Sequence, residues 1–196
     1  RQTQSHNFYQ RSMKTKSRKI KHAVVIVNYN GSQDTLNCLR SIDVTKDMPH
    51  VIVVDNGSTD NSVAELKQAY PDLDLIVSPA NLGFSAGNNL GIKKALKMGA
   101  AVVYLLNNDT QVDPNLFFRS YRYVAAKNRI AGAKIYYAKG YEFHEGQRGQ
   151  GNILWYAGGF FDWTAVIAKH TGVDEVDNGQ YDKVGSVDFI TGCFMA

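Results

Sequence analysis

Three runs in this chain, Ala23 to Asn28, Val51 to Asp55 and Ala101 to Leu106, read apolar almost throughout. A strand with one wet face alternates apolar and polar residues, whereas an unbroken Val/Ile/Leu run is covered on both faces, as the strands of parallel sheets are. Parallel neighbours cannot be joined by a tight hairpin and need a long crossover, usually a helix. The segments between these runs should therefore be helical, and their periodicity agrees.

Leu36, Leu39 and Ile42 recur at three-residue spacing in a helix expected over Asp34 to Ile42, with Ser32 as its cap. After Asp55 comes a second helix with Ser58 or Asp60 as cap, Val63, Leu66 and Tyr70 on its stripe and Pro71 as its stop. Leu73, Leu75 and Val77 alternate with Asp74, Ile76 and Ser78, which suits a strand nearer the sheet edge. A third helix is expected from about Ser85 to Met98, ending at Gly99. Beyond the fourth strand, Asp113-Pro114 opens a helix with Phe117, Tyr121 and Val124 on one side, and Ile130 to Tyr137 reads as a fifth strand. The pattern then loosens: residues 138 to 151 are rich in Gly and charge, Trp155 to Gly159 suggests a short strand into a turn, and Val173 to Asp182 is acidic without period.

The predicted class is α/β, a doubly wound, mostly parallel sheet in one domain over residues 22–196, with a second half from about residue 114 rich in long loops. In such sheets the carboxyl ends of the strands gather on one edge, where ligands bind. That edge should receive four polar turns: Asn28-Tyr29-Asn30-Gly31, Asp55-Asn56-Gly57-Ser58, Asn81-Leu82-Gly83-Phe84 and Asn107-Asn108-Asp109. A carboxylate at a strand end followed by a helix start, as at Asp55, can accept hydrogen bonds from a nucleoside; it can equally do no more than shape its turn. Asp109, delivered by a buried strand, suits a hard divalent cation, which is commonly held by one or two carboxylates together with phosphates and water.

Charge narrows the function classes. Seven of the 22 Lys and Arg residues lie in residues 1–22, which carry no acid, so the remainder holds 15 basic and 18 acidic residues and is mildly acidic at −3. A nucleic-acid-binding domain would carry its positive charge on a folded face, which argues against that partner. Residues 1–21 read as a basic, disordered leader that either does nothing or tethers the protein to anionic lipid. No apolar run approaches the roughly 20 residues that span a bilayer, and the expectation is a cytoplasmic protein, peripheral at most at the inner face of the membrane. Cys38 and Cys193 are far apart, without metal-ligand spacing, and read as small core residues; His6, His22, His50, His144 and His170 show no ligand spacing either. No G-x-G-x-x-G after the first strand and no G-x-x-x-x-G-K-[ST] occurs.

Val25-Ile26-Val27-Asn28-Tyr29-Asn30, Val53 to Asp60, Asn81-Leu82-Gly83-Phe84 through Gly87 to Ile92, and Leu106-Asn107-Asn108-Asp109 resemble, in order and spacing, glycosyltransferase family 2. The likeness covers about residues 22 to 196. Trp155 to Gly159, Asp177 to Asp182 and Val187 to Cys193 look like the branch often described as rhamnosyltransferase-like.

The resemblance implies a GT-A fold and metal-assisted, inverting transfer of a hexosyl or rhamnosyl group. The donor would be a nucleotide-diphosphate sugar of thymidine or uridine type, and the acceptor a saccharide or lipid-linked hydroxyl in cell-surface polysaccharide synthesis. It implies nucleotide-sugar contacts at Asn28, Tyr29, Asn30, Asp55, Asn56, Asn81, Gly83, Phe84, Asn88, Asn107 and Asn108. Asn107-x-Asp109 would match the family's D-x-D element, with Asp109 on Mg²⁺ or Mn²⁺ and Asn in place of the first Asp. Asp188, Thr191 and Trp155 are acceptor-side candidates, and Tyr156, Phe160, Phe161 and Trp163 could stack on a sugar or fill a core. In the family the general base lies beyond the Thr-Gly-Cys segment, so the expectation is a catalytic domain truncated after Ala196, with no base assigned and slow or absent turnover. Two alternatives stand beside this: a nucleotidyltransferase, which would want a basic loop after the first strand that Asn28 to Ser32 lacks, and a nucleotide-binding module without catalysis.

Overall fold

The structure, a computed structural model, describes residues 20–126, 129–142 and 151–196. The basic leader lies outside the described residues except for Ile20 and Lys21, as do His6, His144 and most of the Gly-rich 138–151 stretch. Two compact units divide after Ile130: the first comprises residues 1–130 with Ala196, the second Ala131–Met195.

The first unit runs β1 (His22–Asn28), α1 (Ser32–Asp43), β2 (His50–Asp55), α2 (Ser62–Ala69), β3 (Asp74–Val77), α3 (Phe84–Lys97), β4 (Val102–Asn107) and α4 (Leu116–Ala125). Its strands lie in the order β3-β2-β1-β4, all parallel. Ala23 to Ile26 and Ile52 to Val54 are fully buried, as their unbroken apolar character requires. One face is covered by α3, whose Gly87 and Gly91 are pressed so closely on β1 that a Cβ at Gly91 would sit 2.3 Å from Val25 Cγ1. On the opposite face Phe117 of α4 packs edge-on against Tyr104, ring centroids 5.0 Å apart, and Tyr104 stands beside Val24 in the β1–β4 register. The doubly wound architecture follows, and β3 is an edge strand among these four, as its alternation implies.

Local details depart from the sequence expectation at the helix starts. Ser32 is the first residue of α1, not its cap; Gly31 occupies that position without a side-chain bond, and the Ser32 hydroxyl donates to Glu65 of α2. Ser58 does not cap α2 either, because its hydroxyl is held by Asp55; Asp60 accepts the Ser62 N–H at 2.9 Å instead.

The second unit contains β5 (Ile135–Tyr136), β6 (Leu154–Tyr156), β7 (Gly159–Asp162), β8 (Ile167–His170) and β9 (Phe194–Met195). The strand expected over Ile130 to Tyr137 shrinks to two residues paired antiparallel with β6. Ala131-Gly132-Ala133 offers little side chain to hold a ladder, and Gly132 is instead packed against Ile190. β7 and β8 form a four-pair antiparallel hairpin from Gly159↔His170 to Asp162↔Ile167, an element that the sequence reading did not contain.

Candidate functional site

Parallel register brings the turns together. Asn28, the last residue of β1, is level with Asp55, the last of β2, while Val27 is level with Asn107, the last of β4. β2 and β3 lie on one side of β1 and β4 on the other, so the strand order reverses beside β1. That reversal is where open α/β sheets bind ligands. The β2 and β4 turns flank β1 on a single edge, two strand spacings or about 10 Å apart.

The β2 turn is closed on itself. Asp55 has no exposed surface. One carboxylate oxygen accepts the Ser58 N–H at 3.0 Å; the other accepts the Ser58 hydroxyl at 2.6 Å and the Asn28 side-chain amide at 2.8 Å. The Ser58 oxygen in turn accepts the Asn30 N–H at 2.9 Å. Asn30 adopts left-handed backbone geometry, φ 51°, and clasps Thr59 in both directions: its Oδ1 accepts the Thr59 N–H at 2.8 Å and its Nδ2 donates to Thr59 Oγ1 at 3.3 Å. A buried charge is tolerated when donors surround it, and Asp55 uses its charge to tie the first turn to the second.

Asn56 extends the tie to the third turn. Its Nδ2 donates to Asn81 Oδ1 at 3.0 Å and to the Gly83 carbonyl at 3.2 Å, and its Oδ1 accepts the Leu82 N–H at 3.1 Å. Gly57 is required between them: its φ is +78° and a Cβ there would lie 2.4 Å from the Ala80 carbonyl carbon. Asn88 is buried and donates back to the Phe84 carbonyl at 3.0 Å, bracing the first turn of α3.

The β4 turn is open. Asn108 turns inward, its Nδ2 donating to Thr35 Oγ1 at 3.2 Å, and the Asn107 carbonyl accepts the Thr110 hydroxyl at 2.7 Å. Asp109 is exposed, and no hydrogen bond or ion pair among the described residues engages its carboxylate.

The sequence candidates thus divide by depth. Tyr29, Asn30, Asn81, Gly83, Phe84 and Asp109 are presented to solvent on the edge, Asn107 and Asn108 are half-buried, and Asn28, Asp55, Asn56 and Asn88 lie beneath them, bonded within the protein. A divalent cation fits the residue types present: a free, exposed strand-end carboxylate beside carbonyl and amide oxygens leaves the remaining positions to phosphate and water. No group of three His, Cys, Asp or Glu residues gathers among the described residues, so any such ion would rest on Asp109.

Asp188, Thr191 and Trp155 belong to the second unit. Asp188 accepts the Phe161 N–H at 2.8 Å and its own N–H donates to the Gly159 carbonyl at 2.8 Å, so it fixes β7. Thr191 accepts the Cys193 N–H at 3.2 Å, and half-buried Trp155 meets His170 edge-on at 5.1 Å. The unit's strongest electrostatic feature is Lys134, which reaches Asp177 at 2.6 Å and Asp182 at 2.7 Å, with the Tyr136 hydroxyl also on Asp177; Lys134, followed by that hydroxyl, holds the Asp177 carboxyl down at about 2.

Two working residues of the edge were not singled out from sequence. Ser58 carries in the sequence only the signals of a helix cap and a turn end. Thr35 belongs to no motif, although it stands among Leu36, Cys38, Leu39 and Ile42 on the buried side of α1, where a polar residue needs a partner.

The Glycosyl transferase family 2 profile matches residues 23–183. Among curated proteins, the chain is similar to the low-salt glycan biosynthesis hexosyltransferase Agl10 of Haloferax volcanii, 33% identical over 94 residues, 46% of this chain and 28% of that protein. It is similar also to the glycosyltransferase YibD of Escherichia coli K12, 35% identical over 101 residues, 50% of this chain and 28% of that protein. The aligned region is thus under a third of the length of either relative. Among solved structures, residues 1–349 of S. aureus TarS match with a TM-score of 0.50 at 19% identity, over 64% of this chain and 40% of that one. This is a likeness of fold, the α/β GT-A arrangement. With the profile spanning most of its residues, including all four turns of the ligand edge, the chain belongs to glycosyltransferase family 2.

Proposed function

We propose that this chain carries the donor-binding part of a glycosyltransferase acting on a nucleotide-diphosphate sugar, with a saccharide or lipid-linked hydroxyl as acceptor. The reading extends to a uridine or thymidine donor, a hexosyl or rhamnosyl group, and cell-surface polysaccharide synthesis on the cytoplasmic side. One observation carries it: a free, exposed carboxylate, Asp109, shares the sheet's switch-point edge with a turn system locked by the buried Asp55. A fixed cradle beside an unpaired acid suits a ligand with a neutral nucleoside at one end and a diphosphate at the other. The fold supports the reading as well, since S. aureus TarS 1-349 has been solved in complex with UDP-GlcNAc.

In this reading Tyr29, Asn30, Asn81, Gly83, Phe84 and Asn107 line the ligand, while Asn28, Asp55, Asn56, Asn88 and Asn108 hold the liners in place. Asp109 holds Mg²⁺ or Mn²⁺, which when bound neutralises charge on the departing diphosphate. Transfer with inversion forms the bond from the acceptor oxygen to the anomeric carbon as the bond from that carbon to the diphosphate oxygen breaks, and the acceptor proton passes to a general base. No described residue is assigned that base.

The test is a thermal-shift panel of uridine, thymidine and guanosine diphosphates with and without Mn²⁺. A ligand bound only by the folded state adds about 2.7 kcal/mol of apparent stability at a hundredfold excess over its Kd. A Mn²⁺-dependent shift with one diphosphate, lost in Asp109→Ala, is expected; the absence of any shift across the panel overturns the reading.

A further inference from the structure

The open and closed turns are joined beneath the surface by one buried hydroxyl. Thr35, in the first turn of α1, is fully buried. Its Oγ1 donates to Asn28 Oδ1 at 2.7 Å and accepts from Asn108 Nδ2 at 3.2 Å, with the carbonyl of Gly31 a further 3.1 Å neighbour. The polarity of this chain is forced from one end. A carboxylate only accepts, so the Asn28 amide must turn its N–H toward Asp55 and its carbonyl toward Thr35. Thr35 must then spend its single proton on Asn28, the shorter of its two possible bonds, which leaves its lone pairs to receive Asn108. Every donor along Asn108, Thr35 and Asn28 points toward the Asp55 carboxylate, and hydrogen bonds aligned in series in a water-poor site strengthen one another.

We propose that Thr35 is a positioning residue that couples the two turns: it sets the backbone that carries Asp109 by reference to the buried Asp55, so that loosening either turn loosens the other. A ligand that orders the β2 turn thereby improves the order of the β4 turn, and the converse. No contact between nucleoside and cation is needed. The ligand part of this statement rests on the nucleotide-sugar reading above; the coupling of the turns does not. Contiguous hydrogen-bond networks carry such coupling, and its size for linked sites is commonly about 5- to 150-fold.

The test uses the protein without ligand, followed by amide hydrogen exchange. Thr35→Val keeps the shape and removes the hydroxyl. It is expected to speed exchange of the Ser58 and Thr59 amides and of residues 107–110 together, by about tenfold, the effect of losing one buried hydrogen bond. Thr35→Ser, which restores the hydroxyl, should recover protection at both places, as a mere packing role would not. Should Thr35→Val fail to fold, Asn108→Ala serves: cutting the relay at the β4 end should speed exchange at Ser58, across β1. Acceleration confined to the mutated turn, or no recovery with serine, overturns the proposal. In a second arm uridine and Mn²⁺ are titrated singly and together, the nucleoside having no phosphate to bridge to the ion. Each should tighten the other in wild type and cease to do so in Thr35→Val. If wild type binds neither, the nucleotide-sugar reading fails while the exchange result still decides the coupling; if it binds both and the valine variant keeps their mutual effect, the coupling fails alone.

Discussion

The β2 and β4 turns each place a carboxylate on the same edge, yet they treat it in opposite ways. Asp55 is sealed and surrounded by three donors, whereas Asp109 is exposed and unpaired among the described residues. An acid in one kind of strand-end turn can therefore be structural or available, and what decides it is the supply of donors, two from its own turn and one from the adjacent strand in the case of Asp55. Asn28 sits level with Asp55 and donates to the oxygen that the Ser58 hydroxyl also reaches; on the β4 side, the side-chain amide next to Asp109 in sequence is that of Asn108, which donates to Thr35.

The largest expected effect breaks the closed side. Asp55→Ala leaves the Asn28 amide, the Ser58 N–H and the Ser58 hydroxyl without their acceptor in a buried place, and should cost roughly 3 to 5 kcal/mol in urea unfolding. Asp109→Ala, its counterpart, should change stability by no more than about 0.5 kcal/mol while abolishing the Mn²⁺-dependent ligand shift. If the two variants were equally destabilised, the contrast between the turns would be wrong.

Gly57→Ala comes next, at roughly 2 to 3 kcal/mol by the same assay, because the added carbon meets the Ala80 backbone and the left-handed φ is strained for alanine.

The smallest effect sharpens the comparison with a third carboxylate. Asp177 is neither sealed nor free but held by Lys134 and Tyr136, which lower its pKa from 3.8 to about 2. Because the folded value is the lower one, this contribution is present above the unfolded pKa and is lost as pH falls from about 4 through 2. Both tryptophans, Trp155 and Trp163, lie in the second unit, so their fluorescence should report an acid transition there. Lys134→Met should move that transition to higher pH, and an unchanged midpoint would remove Asp177 from the account.

Much of the first unit was legible because its signals are local and repeated. Unbroken apolar runs gave β1, β2 and β4, three- and four-residue spacings gave the helices, and the parallel topology then gathered four turns without further information. The depth of each side chain within those turns was not legible. Whether Asp55 meets a ligand or a neighbour depends on Asn28, 27 residues earlier, and on a register that only the folded sheet establishes. The second unit resisted reading for another reason. Its strands run two to four residues, and the β7–β8 hairpin leaves Phe160, Phe161 and Ile167 exposed while turning through Val166 at φ 54°, a residue type that no turn rule favours. Trp155 and Tyr156 are partly or wholly covered, but Trp163 is 77% exposed, so the aromatic cluster read as either sugar platform or core contains examples of both environments.

The reciprocal clasp between Asn30 and Thr59 bears on any attempt to re-engineer this edge. Because segments 28–35 and 55–59 interlock through paired amides and a shared serine, they form a cassette that has to be exchanged whole. Importing either piece from a homologue with different needs would strand the other, whereas the stretch after Thr110, beyond the Asp109 carboxylate and the Thr110 hydroxyl on the Asn107 carbonyl, could be diversified on its own, which makes it the natural place to begin a library.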